Sequence, residues 1–128
     1  MKNMTNLLGR VLMIVIFLWG GLGKIQGYSG FEQYMQHLGL AVWLTPFVIA
    51  LELGGGLAVL LGFYTRVASL MLAAFCVATA VLVHYHPQDE MQMINFMKNL
   101  SMTGGFLILA AYGAGSLSLD ERLKLRLR

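Results

Sequence analysis

The chain has 128 residues, enough for one domain, and 58% of them are hydrophobic while only 12% are charged. That balance excludes a water-soluble globular domain, which is nearer half apolar and a quarter charged; with a mean hydropathy of +0.70 it describes a chain whose outer surface faces lipid. The net charge of +3 does not point to nucleic acid, because the basic residues sit at the ends of apolar runs, where they act as orientation signals.

A bilayer core about 30 Å thick needs about 20 helical residues to cross it. The first apolar run spans about residues 7–27, with no charge between Val11 and Gly23. Met1-Lys2-Asn3-Met4 resembles the basic start of a signal peptide. No good small-residue cleavage site follows, so the run is read as a retained span. Residues 28–39 are too polar to cross. Phe31, Tyr34, Met35 and Leu38 fall on one helical face, opposite Glu32, Gln33, Gln36 and His37. Ser29 and Glu32 have capping-box spacing and Gly39 supplies a stop, which predicts a short amphipathic helix lying in the interface.

The second span covers about residues 45–64, with Thr45 as a cap and Pro46 at the start of the helix. Tyr64-Thr65-Arg66 makes a tight turn. The third span covers about 67–85 and stops before Pro87; the fourth covers about 94–112 and closes at Gly113 and Gly115. Ser118 and Glu121 form a second capping box opening a basic tail over 116–128. The whole is one domain, residues 1–128: an all-α integral membrane four-helix bundle with a short interfacial helix between its first and second spans. Lys2, Arg10, Arg66, Arg122, Lys124, Arg126 and Arg128 fall on one side and Lys24 and Lys98 on the other. This predicts both termini in the cytoplasm.

Charges inside a span cost roughly 2.5–3.5 kcal/mol each on insertion scales, so Glu52 stands out. It lies about 10 Å below the outer surface at 1.5 Å per residue, and must be neutral or paired. Lys24, Lys98 and His84 sit at compatible depth, and Asn95, Asn99 and Thr103 recur at helical spacing on the fourth span. Lys24, Glu52, His84, Lys98 and Asn99 therefore form either a buried ion pair that fixes helix register or a ligand pocket open to the outer face. The two are not exclusive.

Gly20, Gly21, Gly23, Gly54, Gly55, Gly56, Gly104 and Gly105 read as helix-packing positions, not as a phosphate-binding loop, which needs a strand before it. Imidazole and thioether groups at His84, His86, Met91 and Met93 suggest a soft-metal set. Two histidines at i, i+2 do not share a helix face, so no metal site is assigned. Cys76 is alone, which excludes an internal disulfide and a Cys-x-x-Cys pair, and it reads as a packed thiol. The tryptophans and tyrosines fall mostly near span ends, as in an aromatic belt.

Gly20-Gly21-Leu22-Gly23-Lys24, Gly39, Leu51-Glu52-Leu53-Gly54-Gly55-Gly56, Leu61-Gly62-Phe63, Thr65-Arg66 and the stretch from Gly113 to Asp120 together resemble the DoxX family, and Phe96-Met97-Lys98-Asn99-Leu100 resembles its bacterial inner-membrane branch. The resemblance implies a four-helix, multi-pass protein of the bacterial inner membrane. It also implies an association with redox systems, since the family name comes from a thiosulfate:quinone oxidoreductase subunit. The chain has no cysteine pair, haem motif or flavin fingerprint. Redox work would therefore need a bound quinone or a membrane partner that carries the redox centre. Three functions follow: a redox-associated subunit binding a quinone or other small molecule, a carrier or channel element working as a homo-oligomer, and a non-catalytic membrane scaffold. No catalytic residue is assigned. The expected surroundings are the lipid bilayer and no nucleic acid.

Overall fold

The structure is a computed structural model and describes residues 1–125; Arg126 and Arg128, and with them the end of the expected basic tail, lie outside the described residues. Among the described residues all regular structure is helical. The first helix, α1, covers Lys2–Gln26 and ends at Gly27, whose N–H donates to the Gly23 carbonyl at 2.9 Å. The short helix α2, Tyr28–His37, begins at once, and Gly27 rather than Ser29 stands at its cap position. The expected Ser29–Glu32 box is not formed. With only Gly27 between the helices, Ser29 already lies in the first turn of α2 instead of before it. The stop at Gly39 is as expected: its φ is +72°, and the Leu40 N–H returns to the Met35 carbonyl at 2.9 Å, the pattern of a glycine-closed helix end.

The second long segment is composite. A 3-10 turn, Val42–Leu44, leads into α3, Thr45–Ala50, with Pro46 in the first turn. Leu51–Gly55 then widens into a π-helical turn before α4, Gly56–Leu61. Thr45 was expected to cap this span. It lies inside the helix instead, and its hydroxyl is buried without a partner. The third segment repeats the device: α5, Thr65–Thr79, passes into a second π turn, Ala80–His84. Helix α6, Glu90–Tyr112, begins earlier than residue 94 because Asp89 caps it, accepting the Gln92 N–H at 3.2 Å. Ser118 caps the short α7, Leu119–Arg122, by accepting the Glu121 N–H, as its spacing predicts.

Among the described residues three helical stretches are long and apolar enough to cross a membrane, Lys2–Gln26, Val42–Leu61 and Thr65–His84, where the sequence reading expects four. The α6 helix has 23 residues, about 35 Å at 1.5 Å per residue. Glu90, Gln92, Asn95, Lys98 and Asn99 make its first half too polar to stand beside the other three.

Packing follows two hairpins. Helix α1 lies against α3, the first π turn and α4; α5 and the second π turn lie against α6. The hairpins meet through α5, which touches the first π turn and α4. The shared core is Ile14, Phe17, Val59, Leu72, Cys76 and Phe106, with the Phe17 and Phe106 rings edge to face at 5.4 Å. Cys76 is a buried free thiol within it. Of the packing glycines, Gly21, Gly55, Gly56 and Gly105 are pressed against Leu53, Leu72, Leu18 and Met13, leaving at most 3.1 Å for a Cβ. Gly23, Gly54 and Gly104 face open space and do not pack.

The end of the molecule that carries the start of α1 and α7 is closed by a polar clip. Arg10, read from sequence as an orientation charge, is 1% exposed. Its guanidinium donates to the carbonyls of Val59, Leu60 and Leu117 and to the Asn6 side chain. Asp120 is buried beside it and accepts from the Tyr64 N–H (2.7 Å), the Thr65 N–H (2.9 Å) and the Thr65 hydroxyl (2.6 Å). Gly62, at φ +68°, is fixed twice over, because a Cβ there would also strike Ser118 and the Arg10 guanidinium.

Candidate functional site

The α2 end is built differently. There the two hairpins part, and a cavity of about 540 Å³ lies between them, within the range of about 300–1,000 Å³ that holds small-molecule ligands. Phe17 of α1, Leu51 of the first π turn, Phe75 of α5 and Met102 of α6 contribute to its apolar wall, and Phe31, Tyr34 and Met35 of α2 cover it. The amphipathic pattern that predicts α2 thus supplies a roof: Met35 is buried, Phe31 is half-buried and the polar side faces out.

Five polar groups besides Tyr34 reach the cavity: Lys24, Glu52, Thr79, His84 and Asn99. Glu52 sits on the first π turn and is 6% exposed. Lys24 Nζ donates to both carboxylate oxygens, at 3.1 and 2.9 Å. The same ammonium stands 5.2 Å from the centre of the Phe31 ring, a cation–π distance. The pair ties α1 to the second segment, and Phe31 ties the pair to the roof. His84 ends the second π turn, and its Nδ1 lies 2.7 Å from Gln92 Oε1. With Gln92 Oε1 as the acceptor, Nδ1 is the donor in this contact. Asn99 donates to the Asn95 carbonyl at 3.0 Å, and its Oδ1 lies 3.2 Å from the Thr79 hydroxyl. Thr79 also reaches the Phe75 and Cys76 carbonyls at 2.8 and 3.1 Å, so three acceptors compete for its single proton.

The structure brings Lys24, Glu52, His84 and Asn99 to one cavity, but not Lys98. Lys98 is exposed and does not line it. Successive residues on a helix are turned about 100° apart and face different ways; with Asn99 on the cavity side, Lys98 is carried off it. His84 lines the cavity while His86, Met91 and Met93 do not, and among the described residues no three His, Cys, Asp or Glu side chains are grouped for a metal. Three contributors were not read from the sequence as part of the cavity: Thr79, which resembles any back-bonded helix threonine; Gly20, read there as a packing glycine; and the π turns, which look like ordinary helix in the pattern of apolar residues. π turns recur at functional sites because they displace side chains from the regular helical register, and here one carries Glu52 and the other His84.

Long apolar helices with most of their large hydrophobic side chains exposed, as at Leu12, Ile16, Val81 and Leu82, define a helical protein embedded in a membrane. The DoxX family model matches residues 5–85, and the chain belongs to the DoxX family. It is 46% identical over 123 residues to the Escherichia coli (strain K12) inner membrane protein YqjF, covering 96% of this chain and 95% of that one. It is 36% identical to the inner membrane protein YphA of the same organism, covering 91% and 88%. Over 78 residues it is 34% identical to a Bacillus subtilis (strain 168) protein bearing the name "Putative oxidoreductase CatD", covering 61% of this chain and 58% of that one. No solved structure matches it.

Proposed function

We propose that the protein is a four-crossing inner-membrane protein that binds a small lipid-soluble molecule, of the quinone class, in the cavity over the Lys24–Glu52 pair, and serves a redox system as its binding subunit. The observation that carries this reading is the combination of a mainly apolar cavity of about 540 Å³ with one ion pair exposed to it. Binding sites of this kind take most of their affinity from apolar contact and their orientation from a few polar groups. Inner-membrane relatives and the oxidoreductase in the CatD name favour the redox context, by likeness alone. In this reading α6 completes a four-helix bundle. The basic residues, sequestered Arg10 aside, hold both termini in the cytoplasm, and the cavity opens in the outer half of the bilayer.

The test is binding of decyl-ubiquinone to the purified protein in lipid nanodiscs. Glu52→Gln keeps the shape but removes the carboxylate charge, and should weaken binding by about tenfold or more, the equivalent of one good polar contact, while the helices remain folded. Wild-type affinity in a folded Glu52→Gln protein would make the pair a register lock and nothing more.

A further inference from the structure

Gly20 lies on α1 one turn before Lys24 and lines the cavity. A Cβ built on it would stand 3.4 Å from Lys24 Nζ and 3.8 Å from each carboxylate oxygen of Glu52. Those are ordinary contact distances, so nothing in the fold requires glycine here. The contrast with Gly21 is direct: there a Cβ would come within 2.7 Å of Leu53, and packing explains the glycine. At Gly20 the missing side chain instead leaves one face of the ion pair bare toward the cavity. Phe31 covers another face of the ammonium.

Charge narrows what can sit on that face. The Lys24 ammonium is matched by the Glu52 carboxylate on both oxygens. The other polar groups on the cavity are Tyr34, Thr79, Asn99 and a His84 ring engaged by Gln92. Among the described residues, no Lys, Arg, Asp or Glu side chain other than this matched pair lines the cavity. A charged head group brought there would leave water without a counter-charge, which is costly in an apolar setting. An uncharged head with a carbonyl or hydroxyl can accept a hydrogen bond from Lys24 or donate one to Glu52 without breaking the pair.

We propose that Gly20 is a specificity-determining position: its bare backbone admits the uncharged, hydrogen-bonding head of an otherwise apolar ligand to the Lys24–Glu52 pair. This rests on the proposed ligand-binding reading of the cavity and names the class of head group it accepts. The experiment compares wild type, Gly20→Ala and Glu52→Gln in lipid nanodiscs, reading thermal unfolding together with the Kd for decyl-ubiquinone and, separately, for decanoate. Gly20→Ala should melt at or above the wild-type temperature, since alanine is the better helix former, and should bind decyl-ubiquinone about tenfold or more weakly. Wild type should bind decanoate about tenfold or more weakly than decyl-ubiquinone. If Gly20→Ala binds like wild type while Glu52→Gln does not, the role of Gly20 is overturned and the ligand-binding reading stands. If both variants bind like wild type, that reading falls as well. Decanoate bound as tightly as decyl-ubiquinone overturns the uncharged head group.

Discussion

The molecule buries charge at both ends and treats it in opposite ways. At the terminal end, Arg10 and Asp120 are surrounded by backbone partners: three carbonyls for the guanidinium, two N–H groups and a hydroxyl for the carboxylate. At the α2 end, Lys24 and Glu52 have each other, with Lys24 side-chain exposure of 21% and a cavity beside them. Apart from the Arg10–Asn6 bond within α1, the first arrangement spends its hydrogen bonds on joining α1, α4, α5 and the C-terminal stretch. The second joins only α1 to the second segment and leaves hydrogen-bonding capacity facing open volume. Burial of charge alone therefore does not identify a site; the unused face does.

That comparison can be broken at several points. The largest effect is expected at the clip. Arg10→Ala removes the guanidinium from the part-buried carbonyls of Leu60 and Leu117 and from the buried carbonyl of Val59, which keeps the Gly62 N–H, at about 1–3 kcal/mol for each group left unsatisfied. The helical bundle should lose about 3–5 kcal/mol of stability, in the range for breaking buried charged networks. Gly62→Ala, which forces a Cβ into the same guanidinium at positive φ, should act in the same direction. Reversible unfolding in mixed micelles measures both; a loss under about 1 kcal/mol for Arg10→Ala would mean that water replaces the clip.

Glu52→Gln should cost less, about 1–2 kcal/mol, because Lys24 can turn its ammonium toward water and polar head groups. Its main consequence is for ligand binding. If it destabilises as strongly as Arg10→Ala, the two ends do the same structural job and the contrast is lost.

The smallest effects separate the glycines. Gly54→Ala and Gly104→Ala meet nothing within 4 Å and should be neutral or stabilising by up to about 1 kcal/mol. Gly105→Ala meets the Met13 side chain at 2.8 Å and should be neutral to destabilising by about 1 kcal/mol, since the end of a methionine can move. The same unfolding assay applies. Equal responses at all three would dissolve the distinction between packed and open glycines.

The sequence made some of this legible and hid the rest for physical reasons. Gly39, Pro46 and Ser118 announced helix ends because their signals are local: a positive φ, a missing N–H, a hydroxyl in reach of a nearby N–H. Glu52 announced itself because a carboxylate within an apolar run needs a partner, and Lys24 at matching depth supplied one. The burial of Arg10 was not legible because its partners are distant in the chain: Val59 and Leu60 on α4 and Leu117 beyond α6. Basic residues at span ends look alike until folding sorts them. Lys98 misled for the opposite reason, since its depth fitted but its azimuth did not. Ser29 failed as a cap because one residue, too few for a loop, separates α1 from α2. The π turns left no trace, as a widened turn keeps the same apolar composition.

The central claim is that the cavity over the Lys24–Glu52 pair is a binding site for an uncharged apolar molecule. The most direct measurement is an experimental structure of the protein in lipid nanodiscs saturated with decyl-ubiquinone. The expected result is the quinone ring lying against Gly20, with a ring oxygen within hydrogen-bonding distance of Lys24 Nζ or the Glu52 carboxylate, beneath Phe31 and Tyr34. A cavity filled by those α2 side chains, with the quinone on the lipid-facing surface or nowhere, would contradict it.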